Sequence, residues 1–365
     1  MAERIGACPE CLRRSWLLAR LAPFIERSCE DRPGRRVPEL LSLGDDDLVR
    51  AVAASKSDEL LSAHGAVGDA AMAAALEAVD CWSICRHDPE WPSGLFQGSD
   101  APRCLIGRGD LGQLRGLEPG ESATIVGARR ATPYGMGIAR RLGSEAARAG
   151  LAVVSGLALG IDGAVHRGSV GRGRSIAVLG GSVDRPYPAS NRPLYRDLVE
   201  RGVVVSEMPP GTSPRRWCFP ARNRTMASLS GITVLVEAAL RSGSLITAEM
   251  ALSAGREVGA VPGPVTSTVS DGCNELIKTG AVLVRDGFDL IEALCPGIGR
   301  EVIEATAPAG STEAKVLEAI SEGASTPDQV ASVTDLEIGE AMVAITRLEL
   351  EGSIEVDPSG ALLLA

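Results

Sequence analysis

Seven short apolar runs alternate with alanine-rich helical stretches between residues 81 and 294, and this alternation constrains the fold more than any other feature of the chain. The runs are Ala123–Val126, Ala152–Ser155, Ile176–Gly180, Val203–Ser206, Ile232–Glu237, Glu257–Pro262 and Ala281–Val284. Helical stretches such as Gly137–Ala149, Asn191–Arg201 and Ser244–Ala254 lie between them. Strands that are apolar throughout are buried on both faces, as happens when helices cover both sides of a parallel sheet. The pattern therefore predicts an α/β fold with a doubly wound, mostly parallel sheet.

The segments on either side of this region have different patterns. Residues 1–78 have apolar residues at helical spacing and predict a small N-terminal helical domain. Residues 79–296 would hold the sheet, and residues 297–311, which are rich in Gly, Pro and Ala, predict a linker. Residues 312–365 predict three short helices followed by a hairpin, which indicates a C-terminal winged helix.

The sequence contains no segment that predicts membrane insertion or export. No apolar run reaches the length of a transmembrane helix, and the N-terminus lacks the basic and then apolar layout of a signal peptide. We therefore expect a cytoplasmic protein with no membrane partner. Its nine cysteines would then be reduced.

Charge is distributed unevenly along the chain. The whole chain has a formal net charge of -10, whereas residues 103–224 hold 19 basic and 9 acidic side chains, a net charge of +10. A positive segment within an acidic protein indicates a face that binds a polyanion. The run FPARNR from Phe219 to Arg224 ends this segment. It places an aromatic ring beside guanidinium groups, the combination that single-stranded nucleic acid requires for its bases and phosphates.

Four predicted strand ends are rich in Gly and Ser. They are Gly127–Arg129, Ser155–Gly160, Gly180–Ser182 and Ser242–Ser244. Small residues let backbone N–H groups approach a phosphate, and the N-terminus of a following helix adds positive potential. In a doubly wound sheet the ligand site lies at the carboxyl ends of the strands, so these loops should meet there. The chain has no Gly-Lys pair of a P-loop and no G-x-S-x-G nucleophile elbow.

Eight motifs of the central region resemble those of the DNA processing protein A (DprA/Smf) family in order and spacing. They are VGARRATPYG from Val126, SGLALGIDGAVH from Ser155, AVLGGSVDRPYP from Ala177, SEMPPG from Ser206, FPARNR from Phe219, VEAALRSGSLITAEMA from Val236, AVPGPV from Ala260 and DGCNELIKTGA from Asp271. The resemblance implies an extended Rossmann-like fold and a protein that is not an enzyme and needs no cofactor. It also implies that a homodimer binds and protects single-stranded DNA and helps to load the RecA recombinase, chiefly in natural transformation.

The resemblance further implies roles for individual residues. Arg129 would contact the DNA backbone, Arg216 would face a phosphate, and Phe219 would stack on a base unless it is tucked into the core. Arg222 and Arg224 would bind phosphates, although one of them could be a structural pin. The predicted DNA-contacting residues are Gly127, Arg129, Arg130, Ser155, Gly156, Gly160, Arg216, Phe219, Arg222, Asn223, Arg224, Ser242 and Ser244.

Four titratable residues in these motifs look catalytic but are predicted to be structural. Neither Asp162 nor His166 has a neighbouring nucleophile or set of metal ligands in the sequence, so both are predicted to be structural. Asp162 would cap the helix that bears His166. Glu207 and Glu237 would hold loops through hydrogen bonds to backbone N–H groups. We therefore predict no catalytic residue.

A C-x-x-C pair near the N-terminus is half of a zinc site. The residues that could complete the pair of Cys8 and Cys11 are Cys29, Cys81, Cys85 and His87. A single C-x-x-C without a clean partner is weak evidence for zinc, and we predict no metal.

Two other functions are open to such a sequence. A phosphoribohydrolase-like enzyme on a related Rossmann-like fold would carry Pro-Gly-Gly-x-Gly-Thr-x-x-Glu, whereas this chain has RSGSLITAEM from Arg241, with Glu249 expected to face solvent. The positive segment also favours a polymer over a mononucleotide. An adaptor acting through the winged helix would leave Arg129 and FPARNR unexplained. Between Asp335 and Glu351 that domain has only Arg347 against five acidic residues, so we expect it to contact protein or regulate, and not to read duplex DNA.

Overall fold

A computed structural model describes residues 6–29, 33–96, 98–295, 312–321, 323–350, 353–356 and 360–364. The chain divides into two units, Met1–Pro296 and Gly297–Ala365, which we call the core unit and the C-terminal unit. The predicted linker, residues 297–311, lies outside the described residues.

The core unit begins with helices and continues with alternating strands and helices. The first helices are α1 Pro9–Ser28, α2 Pro33–Leu41, α3 Asp45–Ala53, α4 Ser57–Gly65 and α5 Asp69–Glu77. The elements that follow are β1 Trp82–Cys85, β2 Cys104–Gly109, β3 Ser122–Val126, α6 Pro133–Arg148, β4 Ala152–Ser155, α7 Ile161–Ser169, β5 Ser175–Val178, α8 Arg192–Arg201, β6 Val203–Ser206, α9 Cys218–Leu229, β7 Ile232–Leu235, α10 Leu245–Ser253, β8 Glu257–Ala260, α11 Asp271–Lys278, β9 Val282–Leu283 and α12 Gly287–Leu294.

The strands form one sheet in the order β1-β2-β6-β5-β4-β3-β7-β8-β9. Seven strands, which follow one another in the sheet as β6-β5-β4-β3-β7-β8-β9, are all parallel to one another. Strand β2 lies between β1 and β6 and runs antiparallel to both. Each predicted apolar run forms one of the seven parallel strands, which confirms the predicted fold class. Sequence patterning missed β1 and β2, since β2 carries two glycines and an arginine in six residues and its apolar run is short.

The strand order reverses between β3 and β7. From β3 the chain moves through β4 and β5 to β6, and then returns to the other side of β3 to form β7, β8 and β9. Loops that leave adjacent strands in opposite directions open a crevice at the carboxyl edge of the sheet, which is where ligands bind in this class of fold. The loops after β3 and β7 therefore border the place where a ligand site is expected.

The N-terminal helices share their apolar core with the sheet. Cys11 of α1 and Leu76 of α5 belong to the same buried cluster as Ile106 of β2. Leu21 of α1 lies in a second cluster with Trp217, the residue that precedes α9. The predicted boundary at residue 78 is therefore corrected, because helices that bury their apolar faces against the sheet belong to the same folding unit.

The C-terminal unit has the predicted winged-helix elements. They are α13 Thr312–Ser321, α14 Pro327–Thr334, α15 Ile338–Leu350, β10 Ile354–Val356 and β11 Leu362–Leu364. Strands β10 and β11 pair antiparallel, and the Thr326 side chain accepts a hydrogen bond from the Gln329 N–H to cap α14. Val316, Val330 and Ile345 form its core, one from each helix.

Within the described residues, no helix of either unit combines the length and the apolar character that a crossing of the bilayer requires.

A buried histidine makes the stability of the core unit depend on pH. His166 in α7 is fully buried, with Nδ1 3.0 Å from the Ser175 Oγ, and burial lowers its pKa from 6.5 to about 3. The unfolded chain takes up a proton near pH 6.5 and the folded chain does not, so stability is lost as pH falls from 6.5 towards 3. At pH 5 the loss should be about 2 kcal/mol, at roughly 1.4 kcal/mol per pH unit.

Urea denaturation at pH 7 and pH 5 measures this effect. The wild type should lose about 2 kcal/mol more than His166→Asn, which keeps a polar partner for Ser175 but does not titrate. The same pH dependence in both proteins would show that His166 does not cause the loss of stability at low pH.

Candidate nucleic-acid interface

Three adjoining clefts run along the carboxyl edge of the sheet, and Phe219 lines all three. The first has a volume of about 1050 Å³ and the third about 620 Å³, with a narrow cleft of about 60 Å³ between them. Because the clefts share side chains, we treat them as one surface and call it the arginine trough. Its arginines are Arg129, Arg130, Arg185, Arg192, Arg196, Arg215, Arg216, Arg222 and Arg241.

The first cleft is strongly basic. It is lined by five exposed arginines, at positions 185, 192, 196, 215 and 216. Two carboxylates face the same cleft, but both hold loops: Glu26 accepts the backbone N–H groups of Arg216 and Trp217, and Asp184 accepts that of Gly211. Of the five arginines, only Arg185 has a carboxylate within 4.0 Å among the described residues, namely Asp184. The guanidinium groups of the other four are thus available to an anionic ligand.

An aromatic and cationic platform lies at the centre of the trough. The Arg129 guanidinium carbon lies 4.9 Å from the centroid of the Phe219 ring, and the Tyr187 ring lies 6.3 Å from it at an angle of 48°. Tyr187 is 56% exposed, whereas Phe219 is half-buried. Partly exposed rings with a guanidinium beside them are what a nucleic-acid base stacks on. The sequence-based site did not include Tyr187, although its motif AVLGGSVDRPYP was recognised.

The third cleft lies at the reversal point of the sheet. Arg129 and Arg130 enter it from the loop after β3, and Arg241 with Ser242 and Ser244 from the loop after β7. The two serine Oγ atoms lie 2.7 Å apart, and Ser242 Oγ also accepts the Ser244 N–H at 3.3 Å. The predicted Arg129, Arg130 and serines are therefore brought together, and the exposed Arg241 is an addition that the sequence reasoning missed.

Glu237 links the same two loops. Its Oε2 accepts the Thr132 backbone N–H at 2.9 Å, and its Oε1 accepts the Thr132 hydroxyl. This carboxylate comes from the loop after β7 and Thr132 from the loop after β3. The contact fixes the two walls of the cleft relative to each other, and it does not leave Glu237 free for acid–base chemistry.

Arg222 is not available to a phosphate, which corrects its predicted role. The side chain is 8% exposed, and Nη1 donates to the carbonyl oxygens of Gly156 and Val178, the latter at 2.7 Å. Its Nη2 lies 3.6 Å from Asp162 Oδ2. Arg222 is thus a pin between the ends of β4 and β5, because Nη1 donates to the carbonyl oxygens just after β4 and at the end of β5 and Nη2 lies beside the buried Asp162.

Arg224 is likewise paired inside the protein, and its predicted phosphate contact is also corrected. It is 5% exposed and donates to Glu207 Oε2 at 2.6 Å, while the Thr225 hydroxyl donates to Oε1 of the same carboxylate at 3.0 Å. Glu207 therefore binds side chains of α9 and not the backbone N–H groups predicted for it.

The position of FPARNR on a helix explains this division of roles. The run occupies the first turns of α9, which packs against the sheet. Residues four apart lie on the same helical face, so Phe219 and Asn223 both reach the trough. Asn223 Oδ1 accepts a hydrogen bond from Arg222 Nε at 3.2 Å, so this amide is held in place beside the cleft.

The small residues after β3 and β4 are required by close packing. A Cβ at Gly156 would lie 2.1 Å from Arg222 Nη1, and one at Gly160 would lie 2.2 Å from the Ala128 carbonyl oxygen. Gly160 also has φ +74°, which favours glycine. Ser155 and Gly156 are buried, and the Ser155 hydroxyl donates to the Ile125 carbonyl at 2.7 Å. Ser155 lines none of the three clefts, so its predicted contact with phosphate is corrected, whereas Gly156 lines the narrow cleft and its predicted contact stays a prediction. Gly127 and Gly160 are half-buried at the edge.

Asp162 supports the same loop. Its Oδ2 accepts the Ala158 N–H at 3.3 Å, and burial raises its pKa while Arg222 opposes the shift. The N-cap of α7 is Gly160, so the predicted capping role of Asp162 is corrected. Asp162 instead links the loop after β4 to the Arg222 side chain, since its Oδ2 contacts both.

Two protein-family models match this chain. The family model for DNA recombination-mediator protein A matches residues 82–295, and that for the DprA winged helix domain matches residues 304–360. The chain is 38% identical over 295 residues to a putative DNA processing protein DprA of Mycobacterium tuberculosis, with 74% of each chain covered.

Two solved structures are similar to this one. DNA processing protein A of Streptococcus pneumoniae aligns with a TM-score of 0.61 and 30% identity, covering 77% of this chain and 95% of that one. DNA processing protein A of Helicobacter pylori, whose structure was described for its single-stranded DNA binding mode, aligns with a TM-score of 0.53 and 28% identity, covering 59% and 95%.

Proposed function

Because this chain belongs to the DNA recombination-mediator protein A family, we propose that it binds single-stranded DNA in the arginine trough. The observation that carries the proposal is the platform of Phe219, Tyr187 and Arg129 between two clefts that are lined by exposed arginines. The guanidinium groups would neutralise phosphates along the trough, and the rings would stack on a base at its centre.

The form of the platform favours single strands over duplex DNA. A base can stack on Phe219 only if its face is free, and in a duplex both faces are covered by neighbouring base pairs. Stacking and phosphate contacts accept any base, so little sequence preference is expected. The predicted contacts that remain in this proposal are those of Gly127, Arg129, Arg130, Gly156, Gly160, Arg216, Phe219, Asn223, Ser242 and Ser244.

The proposed activity is binding and not catalysis. The two carboxylates that face the first cleft, Glu26 and Asp184, are engaged by backbone N–H groups. The alternative, a phosphoribohydrolase-like enzyme, would need a carboxylate in a phosphoribose loop, but Glu249 is exposed on α10 and does not line the trough. A polymer ligand also accounts for arginines spread over three clefts, which a mononucleotide could not reach.

Family membership supports further parts of the proposal. The protein would act in the cytoplasm as a homodimer, and it would protect the bound strand. It would also help to load the RecA recombinase onto that strand, in natural transformation or homologous recombination. The acidic winged-helix domain would contact another protein or have a regulatory role, and it would not read duplex DNA.

A salt series with fluorescent oligo-dT tests the binding site. Binding measured by anisotropy should weaken steeply with salt, and Arg129→Ala should lower both affinity and the log–log slope, the slope by about 0.7 for one lost phosphate contact. Arg174→Ala is the matched control, because Arg174 directly precedes β5 at the opposite edge of the sheet and pairs with Glu121.

Competition by duplex DNA tests the preference for single strands, and the Arg174→Ala control tests the position of the site. Unlabelled single strands should displace the probe far better than duplex of the same length. A folded wild type that does not bind, or equal effects of Arg129→Ala and Arg174→Ala, would overturn the proposed site.

A further inference from the structure

Four potential metal ligands meet at the junction of α1 and β1. Cys8 and Cys11 lie at the start of α1, while Cys85 ends β1 and His87 follows it. The distances from the three Sγ atoms to His87 Nδ1 are 3.4 Å for Cys8, 3.6 Å for Cys11 and 3.9 Å for Cys85. All four ligand atoms lie within 4.8 Å of one another, and they are the one such group of His, Cys and carboxylate atoms found in the described residues.

Hydrogen bonding does not account for this convergence. An imidazole Nδ1 offers either one lone pair or one proton, so a single tautomer cannot satisfy three sulfur atoms. A tetrahedral zinc ion has Zn–S bonds of about 2.3 Å and Zn–N bonds of about 2.0–2.1 Å, which places sulfur and nitrogen ligands about 3.6 Å apart. The three S···N distances lie around this value.

We propose that Cys8, Cys11, Cys85 and His87 bind one Zn²⁺ in a closed, structural site. Three thiolates and one imidazole are a ligand set that zinc takes in structural sites, where four protein ligands complete the tetrahedron. By sequence, Cys85 and His87 are two of the four residues that could complete the pair, but a single C-x-x-C without a clean partner is weak evidence, so the sequence predicts no metal. The other two lie elsewhere: Cys81 donates to the Val79 carbonyl at 3.7 Å, and Cys29 lies in a separate apolar cluster.

The surroundings suit thiolate ligands. Cys8 is the N-cap of α1, so the positive end of that helix faces the pair of cysteines. The Cys8 backbone N–H donates to Cys85 Sγ at 3.4 Å, and the Gly6 N–H donates to the Ser83 carbonyl at 2.9 Å. Residues 6–8 therefore lie alongside β1. Cys11 and Cys85 are buried, whereas His87 is exposed and gives a metal ion a route of entry.

The site would join two parts of the chain that are far apart in sequence. Cys8 and Cys85 are 77 residues apart, and the ion would fix the start of α1 to the edge of the sheet. At the other end of α1, Glu26 holds the backbone of Arg216 and Trp217 beside the trough. A metal that fixes α1 therefore also supports the loop that precedes Phe219. This role is separate from DNA binding itself, and zinc content can be measured without any DNA.

Metal analysis of the full chain tests the proposal. Protein purified under reducing conditions without chelators should contain one zinc per chain by inductively coupled plasma mass spectrometry. Cys11→Ser and His87→Ala should lose it, whereas Cys81→Ala, a buried cysteine of the same apolar cluster, should retain it. Cobalt added to metal-free wild type should give the strong visible bands of tetrahedral Co²⁺ and near-ultraviolet sulfur-to-cobalt bands. Because Cys11→Ser could fail to fold, His87→Cys serves as a second variant that should keep the metal.

The other outcomes overturn the proposal. They are folded wild type that binds neither zinc nor cobalt, a disulfide between Cys8 and Cys11 in the purified protein, and equal metal loss in Cys81→Ala. Stoichiometric iron in place of zinc would overturn the choice of ion.

Discussion

Replacement of Arg222 by Leu should lower the free energy of unfolding by about 3–5 kcal/mol, because it leaves the buried Asp162 carboxylate without its cationic partner. Arg222 is 8% exposed, and its Nη2 lies 3.6 Å from Asp162 Oδ2. The carbonyl oxygens of Gly156 and Val178 would lose their donor in the same step. Buried acceptors that lose their hydrogen bonds add to the loss of stability.

Chemical denaturation followed by tryptophan fluorescence measures this loss. Arg130→Leu is the control, because Arg130 is exposed in the trough and its removal should change stability by less than about 0.5 kcal/mol. The double variant Arg222→Leu, Asp162→Asn no longer has the buried, unpaired Asp162 carboxylate, so part of the stability should return. A single variant as stable as the wild type would show that Arg222 is not a structural pin.

Replacement of Phe219 by Ala should weaken binding of single-stranded DNA by about 1–3 kcal/mol, roughly 5- to 150-fold. Phe219 lines all three clefts and packs against Arg129 and Tyr187, so its ring is the natural stacking surface of the trough. The salt dependence of binding should hardly change, since the ring neutralises no phosphate.

Two variants at the same position separate stacking from apolar packing. Phe219→Leu keeps most of the volume but has no aromatic face, and it should bind nearly as weakly as Phe219→Ala. Phe219→Tyr keeps the face and should bind like the wild type. Wild-type affinity in Phe219→Leu would remove stacking from the proposed mechanism, while leaving the phosphate contacts untouched.

The predicted parallel strands were all found because their signal is local. A strand buried on both faces must be apolar at nearly every position, and seven runs in this chain satisfy that demand. The strand pair β1 and β2 at one side of the sheet escaped prediction, because β2 contains Gly107, Arg108 and Gly109 and so gives no continuous apolar run. The boundary at residue 78 was wrong for a related reason. Whether α1 and α5 bury their apolar faces against each other or against the sheet is decided by contacts distant in sequence.

The sequence by itself determined the class of fold, the carboxyl edge as the place of the site, and Arg129 and Phe219 as residues of that edge. Only the tertiary structure decided that both arginines of FPARNR are buried. The run has two arginines, and the orientation of α9 on the sheet directs Arg222 to a buried carbonyl and Arg224 to the Glu207 carboxylate. The tertiary structure likewise brought Cys8, Cys11, Cys85 and His87 together. Both outcomes depend on distances between residues far apart in the chain, which no local pattern encodes.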